Sequence, residues 1–547
     1  MKKNQLKLMV LTLVVATAFS ISSNGIIAKA DVAPYAGTTI NADLNATATP
    51  DHVTLTWSGD PTTTQTITWR ANKVIATGVV QYIALSNSGE LDKTVNATLT
   101  PFTTATGDTT VGSMNLFSVN LQNLTPGTKY LYRVGDGTNW NSIGTFTTEA
   151  ANTSNFKFLI FGDSQSGAAT NPNYAPWNTT VQNSFKANRD ASFFVNMGDL
   201  VESGKNYIHW NNWYDAAKGV IDTIAEMPVQ GNHETYNANS DTSAVPQYFK
   251  SQFNVPQNGP EGLKGQVYSY DYGNAHFVVL DSQEDEEAPG NNAFLQKQAD
   301  WLEADLKASK GKFNFVFLHK TPYYNKATRT NPVVKSIFTP IIEKYHVDVV
   351  FNGHDHGISR TYPINNGTYF SSPTQGTVYY VTGRSGNKYY TDLNSKIWDA
   401  NFYDPNTTPC YETVQINGNK LTINAFTNTG TKVDSFVIDK DNDANSTKVT
   451  LPEKFTDKRL IICGTSISWG SNQITTANGN TYINPNIIAA YYGGSYNATT
   501  YNLSAAGNYI FTAADVDAKG NINVTALTAK GFSVSTNSQF NAVMLDK

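Results

Sequence analysis

Cysteine is almost missing from this chain. Cys410 and Cys463 are the only two in 547 residues, so no disulfide framework holds the fold together. A single bridge between them is compatible with the sequence, which does not decide it. Charge is also sparse, at 15% Asp, Glu, Lys and Arg, with a formal net of −5. No Lys/Arg cluster relieves that acidity, which argues against a nucleic-acid-binding surface. Beyond the first two dozen residues there is no uninterrupted apolar run of transmembrane length. Histidine is scarce too, with eight in the whole chain.

What is abundant is Thr, Asn, Gly and Tyr, the texture of secreted β-rich proteins. Residues 1–30 read as a signal peptide: Met1-Lys2-Lys3 and Lys7 are basic, Leu8 to Ala18 is apolar, and Ala28-Lys29-Ala30 offers a cleavage site. Removing the four lysines of this segment takes the net charge from −5 to −9. The expected location is outside the cell, free or at the cell wall, with no transmembrane segment once the signal is gone. Length sets a soft expectation of two to four domains.

Residues 31–149 alternate apolar and polar positions, as in His52-Val53-Thr54-Leu55-Thr56-Trp57 and Lys129-Tyr130-Leu131-Tyr132-Arg133-Val134, the period of half-buried strands. Together with Leu124-Thr-Pro-Gly-Thr-Lys-Tyr130, this resembles a fibronectin type III sandwich. From 156 to 440 the pattern becomes strand, loop, helix. Apolar runs at 156–161, 191–197, 277–280, 313–318 and 347–351 are interleaved with expected helices at 181–188, 210–224 and 296–308, which indicates an α/β layered core. Residues 449–547 show short β-like runs and no clustered ionisable groups. Part of this stretch weakly resembles the repeat named after the amine-oxidase N-terminal domain, which makes it a candidate attachment or stalk module. The Asp515–Gly520 stretch has a superficial likeness to a calcium loop, but Lys519 stands at a ligand position, so a surface turn is expected.

Four motifs occur in order: Gly162-Asp163, Gly198-Asp199, Gly231-Asn232-His233-Glu234 and Gly353-His354-Asp355-His356, with His319 between the last two. Four of the eight histidines fall in this series. Asp163, Asp199, Asn232, His319, His354 and His356 form an oxygen-and-nitrogen set suited to two divalent or trivalent first-row metals. Each lies just past an apolar strand, where α/β folds place their sites. Glycine before four of them permits a sharp turn and close backbone approach. Asp163 or Asp199 alone reads equally well as a helix N-cap, and His319 alone as a loop histidine; the ordered set reads as a two-metal hydrolase.

These motifs, with Val316-x-x-His319, Trp210-Asn-Asn-Trp213 and Arg360-Thr-Tyr-Pro363, resemble the calcineurin-like metallophosphoesterase superfamily and its purple acid phosphatase-like branch, over roughly residues 32–440. The resemblance implies a β-sandwich flanked by helices in the central domain. It also implies two metal ions (Fe, Mn or Zn), with Asp199 bridging, Asp163 and His356 on the first, and Asn232, His319 and His354 on the second. His233 is then suited to protonate the leaving group or stabilise phosphoryl charge, with Glu234 orienting its ring. Two positions depart from the pattern. Asp163-Ser164-Gln165 stands where Asp-x-His is usual, and Glu202 where the iron-binding tyrosine belongs. Gln165 or Glu202 can substitute as oxygen donors, and the protein is expected not to be purple. Arg360, Arg384, Lys320, Tyr323 and Tyr324 are candidates for a phosphate pocket.

The implied function is a secreted bimetallic phosphoesterase that hydrolyses phosphomonoesters, small phosphate-ester substrates, by attack of a metal-bound hydroxide. Alternatives are a phosphodiesterase or nucleotidase on the same site, and a non-catalytic, wall-associated binding protein with a decayed metal centre.

Overall fold

The computed structural model describes residues 40–87, 90–236, 245–442, 458–467 and 473–547. The expected signal peptide, residues 1–30, lies outside them, as do 31–39, 449–457 and 468–472.

The period-2 alternation in the front domain becomes two four-stranded sheets. One orders Asp51–Thr56, Gln65–Asn72, Ser113–Leu121 and Thr98–Thr103; the other orders Lys93–Asn96, Val79–Ala84, Lys129–Gly135 and Gly144–Thr147. Along Lys129–Gly135, Tyr130, Tyr132 and Val134 are buried while Leu131 and Arg133 are half-buried, as a strand with one face on a core requires. Trp69 stacks on Phe117 inside the sandwich at 5.6 Å. The sandwich is also fastened to the central domain. Leu55 N donates to Ile221 O at 2.9 Å, Trp57 packs on Phe193 and Tyr272, and buried Arg70 binds both Asp51 and Asn211.

Two sheets face each other in the central domain. The first orders Ala225–Pro228, Ala191–Asn196, Asn155–Phe161, Cys410–Asn417, Lys420–Thr427 and Lys432–Asp439; its first three strands are parallel. The second orders Tyr268–Tyr272, Ala275–Val279, Phe313–Phe317, Val349–Asn352, Val378–Thr382, Ile358–Thr361 and Asp399–Tyr403, with a parallel run from Ala275–Val279 to Val378–Thr382. Aromatics fill the space between the sheets. Phe158 stacks on Phe193 at 5.0 Å, and Phe277 and Phe315 meet Phe158 edge-on at 5.5 and 5.8 Å, geometry that aromatic quadrupoles favour.

Helices cover the outer faces. Leu295, Ala299, Leu302 and Leu306 recur at helical spacing along Ala293–Ala308 and are buried in one cluster with Val278, Val316 and Val350 of the second sheet. On the first sheet, Trp177 of the helix Ala175–Ala187 meets Phe161. That helix starts earlier than the expected 181, because Pro176 is tolerated in a first helical turn. The helix expected at 210–224 instead runs Tyr207–Ala217; Gly219 takes a φ of 91°, and turns complete the connection.

Among the described residues, the C-terminal module holds a four-stranded sheet of Thr465–Ser466, Arg459–Ile462, Ala542–Asp546 and Ser533–Asn537, two three-stranded sheets and two short α-helices. Leu460, Ile462, Val543 and Leu545 share a buried cluster with Tyr323, Tyr324 and Trp398 of the central domain, so this module is docked through an apolar core. Asp517 accepts from the backbone of Lys519 and Asn521, both at 2.9 Å, which closes a turn. Cys410 and Cys463 are buried free thiols. Among the described residues no helix is long and apolar enough to cross a membrane.

Candidate metal centre

The parallel strands of both sheets end at one place. Asp163 follows Asn155–Phe161, Asp199 follows Ala191–Asn196, Asn232 follows Ala225–Pro228, His319 follows Phe313–Phe317, and His354 and His356 follow Val349–Asn352. Four of these six lie in the left-handed region, with φ of 45° at Asp163, 50° at Asp199, 75° at His354 and 62° at His356. Non-glycine residues there cost of order 1–3 kcal/mol each and persist only where the surroundings hold them. Gly198, at φ 90°, shows why glycine precedes Asp199. A Cβ there would meet Gly231 N at 2.6 Å and His319 Nδ1 at 2.8 Å.

Two groups of donor atoms converge, each within 4.8 Å: Asp163, Asp199 and His356, and Asp199, His319 and His354. Asp199 belongs to both. Its Oδ1 is 3.2 Å from His319 Nε2, and Asp163 Oδ1 is 3.2 Å from His356 Nε2. Asn232 Oδ1 is also 3.2 Å from His319 Nε2. The amide is oriented by its other end, where Nδ2 donates to Tyr236 Oη at 2.8 Å.

The hydrogen bonds of the imidazoles test whether cations fit. His319 Nδ1 faces the carbonyl of Met197 at 2.8 Å, an acceptor only, so Nδ1 carries the proton. Nε2 faces two further oxygen acceptors, so a proton or a metal ion has to lie between them. His356 repeats the pattern, with Nδ1 on the carbonyl of Lys388 at 3.0 Å and a buried Nε2 that has no hydrogen-bond partner. Lone pairs converging in a dry site are repulsive unless a positive charge lies among them. The shifts of His319 and Asp199 carry the same sign, whereas burial holds the imidazoles of His354 and His356 below their ordinary value. Burial disfavours charge on His319, yet Asp199 beside it lifts the imidazole to about 9. Burial likewise opposes ionisation of Asp199, but His319 and His233 hold it well below the usual carboxylate range. The residues fit two metal ions, with nitrogen and oxygen donors of the borderline-to-hard class.

Around this centre the roles differ from those expected. Glu234 does not orient the His233 ring. Its carboxylate instead accepts from the backbone N–H of Gly231 at 2.7 Å, Asp199 at 2.9 Å and Val201 at 3.2 Å, pinning the loops that carry two ligands. His233 Nδ1 faces the carbonyl of Glu202 at 2.7 Å, and its Nε2 faces the ammonium of Lys388 at 2.7 Å. A carbonyl can only accept and an ammonium can only donate, so Nδ1 carries the proton and Nε2 accepts from Lys388 in this arrangement. Gln165 Nε2 donates to Asp199 Oδ2 at 3.1 Å, and its buried Oε1 has no partner. Glu202 is committed elsewhere, to Gly167 N at 2.8 Å and Lys388 Nζ at 3.3 Å.

The phosphate-pocket candidates go to other tasks. Arg360 pairs with Asp434. Arg384 is buried and donates to the carbonyls of Gly386 and Asn406. Lys320 is tied to Asp285 and Glu286, while Tyr323 and Tyr324 are core residues. Two cations that the motifs do not include lie against the candidate ligands' segments: Lys388, beside His233, and Arg329, bonded to the His354 carbonyl and Asp355. Neither stands at a motif spacing; position after the strand Val378–Thr382 was the one signal for Lys388. The remaining histidines are structural. His209 binds Tyr174 and Ala169, His276 lies between Asp271 and Asp305, His52 stacks on Tyr214, and His346 binds the Pro373 carbonyl.

Residues 50–148 match the family Purple acid Phosphatase, N-terminal domain, and residues 156–357 match the Calcineurin-like phosphoesterase family. The chain is 27% identical to acid phosphatase type 7 of Mus musculus over 62% of its own length and 78% of that protein's. It is also 27% identical to the probable inactive purple acid phosphatase 24 of Arabidopsis thaliana, over 49% of this chain and 48% of the other. The fold is similar to that of a purple acid phosphatase from yellow lupin seeds, with a TM-score of 0.59 at 19% identity, over 72% of this chain and 74% of that one. The chain thus carries a purple acid phosphatase N-terminal domain at 50–148, followed by a calcineurin-like phosphoesterase domain at 156–357.

Proposed function

We propose that the protein is a secreted phosphoesterase that hydrolyses phosphomonoesters with two metal ions. The carrying observation is that two convergent donor groups share one carboxylate, Asp199. Asp163 and His356 would hold one ion, and Asn232, His319 and His354 the other, with Asp199 between them. Ions in such a pair acidify water and neutralise charge on a transferring phosphoryl group.

The chain's own residues do the rest. Met197 and Lys388 carbonyls fix which nitrogen of His319 and His356 faces the centre. Tyr236 turns the oxygen of Asn232 inward. Burial of Asp163, Asp199, His319 and His356 excludes bulk water from the donor atoms, which strengthens every interaction made there. Ser164, next to Asp163, donates to Leu200 O and accepts from Trp213 Nε1, so it is not posed as a nucleophile and no covalent phosphoenzyme is expected.

A second reading is favoured by Gln165 and Glu202, which leave the first ion fewer strong donors: a binding protein that no longer catalyses. Elemental analysis of the mature protein, with p-nitrophenyl phosphate turnover before and after chelation, decides between them. About two metals per chain and chelation-sensitive turnover support the phosphoesterase. One metal or none, with no turnover after Mn, Fe or Zn is restored, overturns it. Bis(p-nitrophenyl) phosphate as a parallel substrate separates a monoesterase from a diesterase or nucleotidase.

A further inference from the structure

Lys388 occupies a position that no motif assigns. It lies on the segment after Val378–Thr382, which is laced to the first-ion side of the centre. Gly386 N donates to the Asp163 carbonyl at 3.1 Å and Asn387 N to the Gln165 carbonyl at 3.0 Å. The Lys388 carbonyl itself accepts from His356 Nδ1 at 3.0 Å. Backbone placement is therefore set by two of the candidate ligands, Asp163 and His356, and by Gln165 beside them.

Its side chain turns to the other side of the same space. Nζ lies 2.7 Å from His233 Nε2 and 3.3 Å from Glu202 Oε1. An ammonium has three N–H donors, and these two partners use two of them. With a fifth of its side chain exposed, Lys388 is reachable from solvent, unlike Lys320 at 4%. Glu202 balances the charge while no anion is present, and His233 steadies the ammonium from its lone-pair side.

We propose that Lys388 reads the charge of the substrate: its ammonium binds a terminal oxygen of the phosphoryl group and selects doubly charged monoesters over singly charged diesters. The inference rests on the phosphoesterase reading and names its substrate class. A monoester at neutral pH has an additional anionic oxygen compared with a diester. A cation placed beside the donor groups, 2.7 Å from His233 Nε2, attracts a ligand with that extra charge more strongly than one without it.

The test uses the metal-loaded full chain and Lys388→Met, which keeps the apolar stem and removes the charge. Three quantities are read: metal content, kcat/KM on p-nitrophenyl phosphate against bis(p-nitrophenyl) phosphate, and inorganic phosphate binding by calorimetry. Metal content is expected to stay unchanged. Monoester kcat/KM and phosphate affinity are expected to fall about tenfold to a hundredfold, the range for a hydrogen bond to a charged group, and the diester much less. Lys388→Arg should keep the preference. An unchanged monoester-to-diester ratio with unchanged phosphate binding overturns the proposal. Lys388→Gln provides the same comparison if the Met variant does not fold. A metal-loaded wild type that turns over neither ester overturns the phosphoesterase reading; the phosphate titration of the variants then still decides whether Lys388 binds the anion.

Discussion

Glu234 Oε2 lies 2.9 Å from the backbone nitrogen of Asp199, and the same carboxylate spans to Gly231 and Val201. A side chain three residues past Gly231 thus fixes the loop that carries the shared ligand. Burial, then the Asp199 charge, pushes the Glu234 carboxyl up to about 8, against the pull of the backbone donors. Glu234→Ala leaves three buried N–H groups without an acceptor and should cost roughly 2–4 kcal/mol. Denaturant unfolding with and without Glu234→Gln checks this. The amide keeps an acceptor, so it should recover part of the stability; equal losses would show that packing, not the hydrogen bonds, matters.

Asp199→Asn should be the most damaging single change at the centre. The amide removes a charge and half of the oxygen donors from both groups at once. Expected outcomes are loss of at least one metal per chain by elemental analysis and about a thousandfold or greater drop in turnover. Asp163→Asn should weaken only the first ion.

Glu202 stands where a tyrosine would colour an iron centre, and its carboxylate is held by Gly167 N and Lys388. Iron-loaded protein should therefore lack a tyrosinate-to-iron charge-transfer band in its visible spectrum. Appearance of such a band would place Tyr236 or Tyr390, the rings packed on His233 and His356, on the metal.

His276 gives a pH dependence remote from the centre. Burial opposes its protonation, but Asp271 at 2.7 Å and Asp305 at 2.8 Å outweigh that and raise the imidazole to about 9. A folded pKa above the unfolded one, near 6.5, means the ion pairs contribute fully below about pH 6.5. That contribution is lost as pH rises through about 9. Allowing for the exposure of Asp271, the loss is on the order of 2 kcal/mol. Thermal unfolding from pH 6 to 10 should show the decline, and His276→Asn should flatten it.

Much of this molecule was legible in order along the chain. Apolar runs ending in Gly-Asp, Gly-Asn and Gly-His mark strands that deliver ligands to one edge, because a run too apolar for the surface must be a buried strand and its polar end must be a loop. The residue types in those loops make up a donor set that could hold metal, legible without reference to distance. Period-2 alternation separates the front sandwich from the layered core for the same local reason. Helix ends were less legible at Pro176 and Gly219, where local backbone geometry overrode the apolar pattern.

The roles of the polar groups around the ligands were decided only by the tertiary structure. Glu234 adjoins His233 in sequence, yet bonds the backbone of a loop some thirty-five residues earlier. Lys388 is 155 residues from His233 and lies 2.7 Å away. Arg384, four residues from Lys388, is spent on backbone carbonyls instead. A side chain's chemistry is set by its covalent structure and can be read in one dimension. The partner that fixes its tautomer, its charge and its direction comes from whichever strand the fold lays beside it, and no spacing in the chain records that.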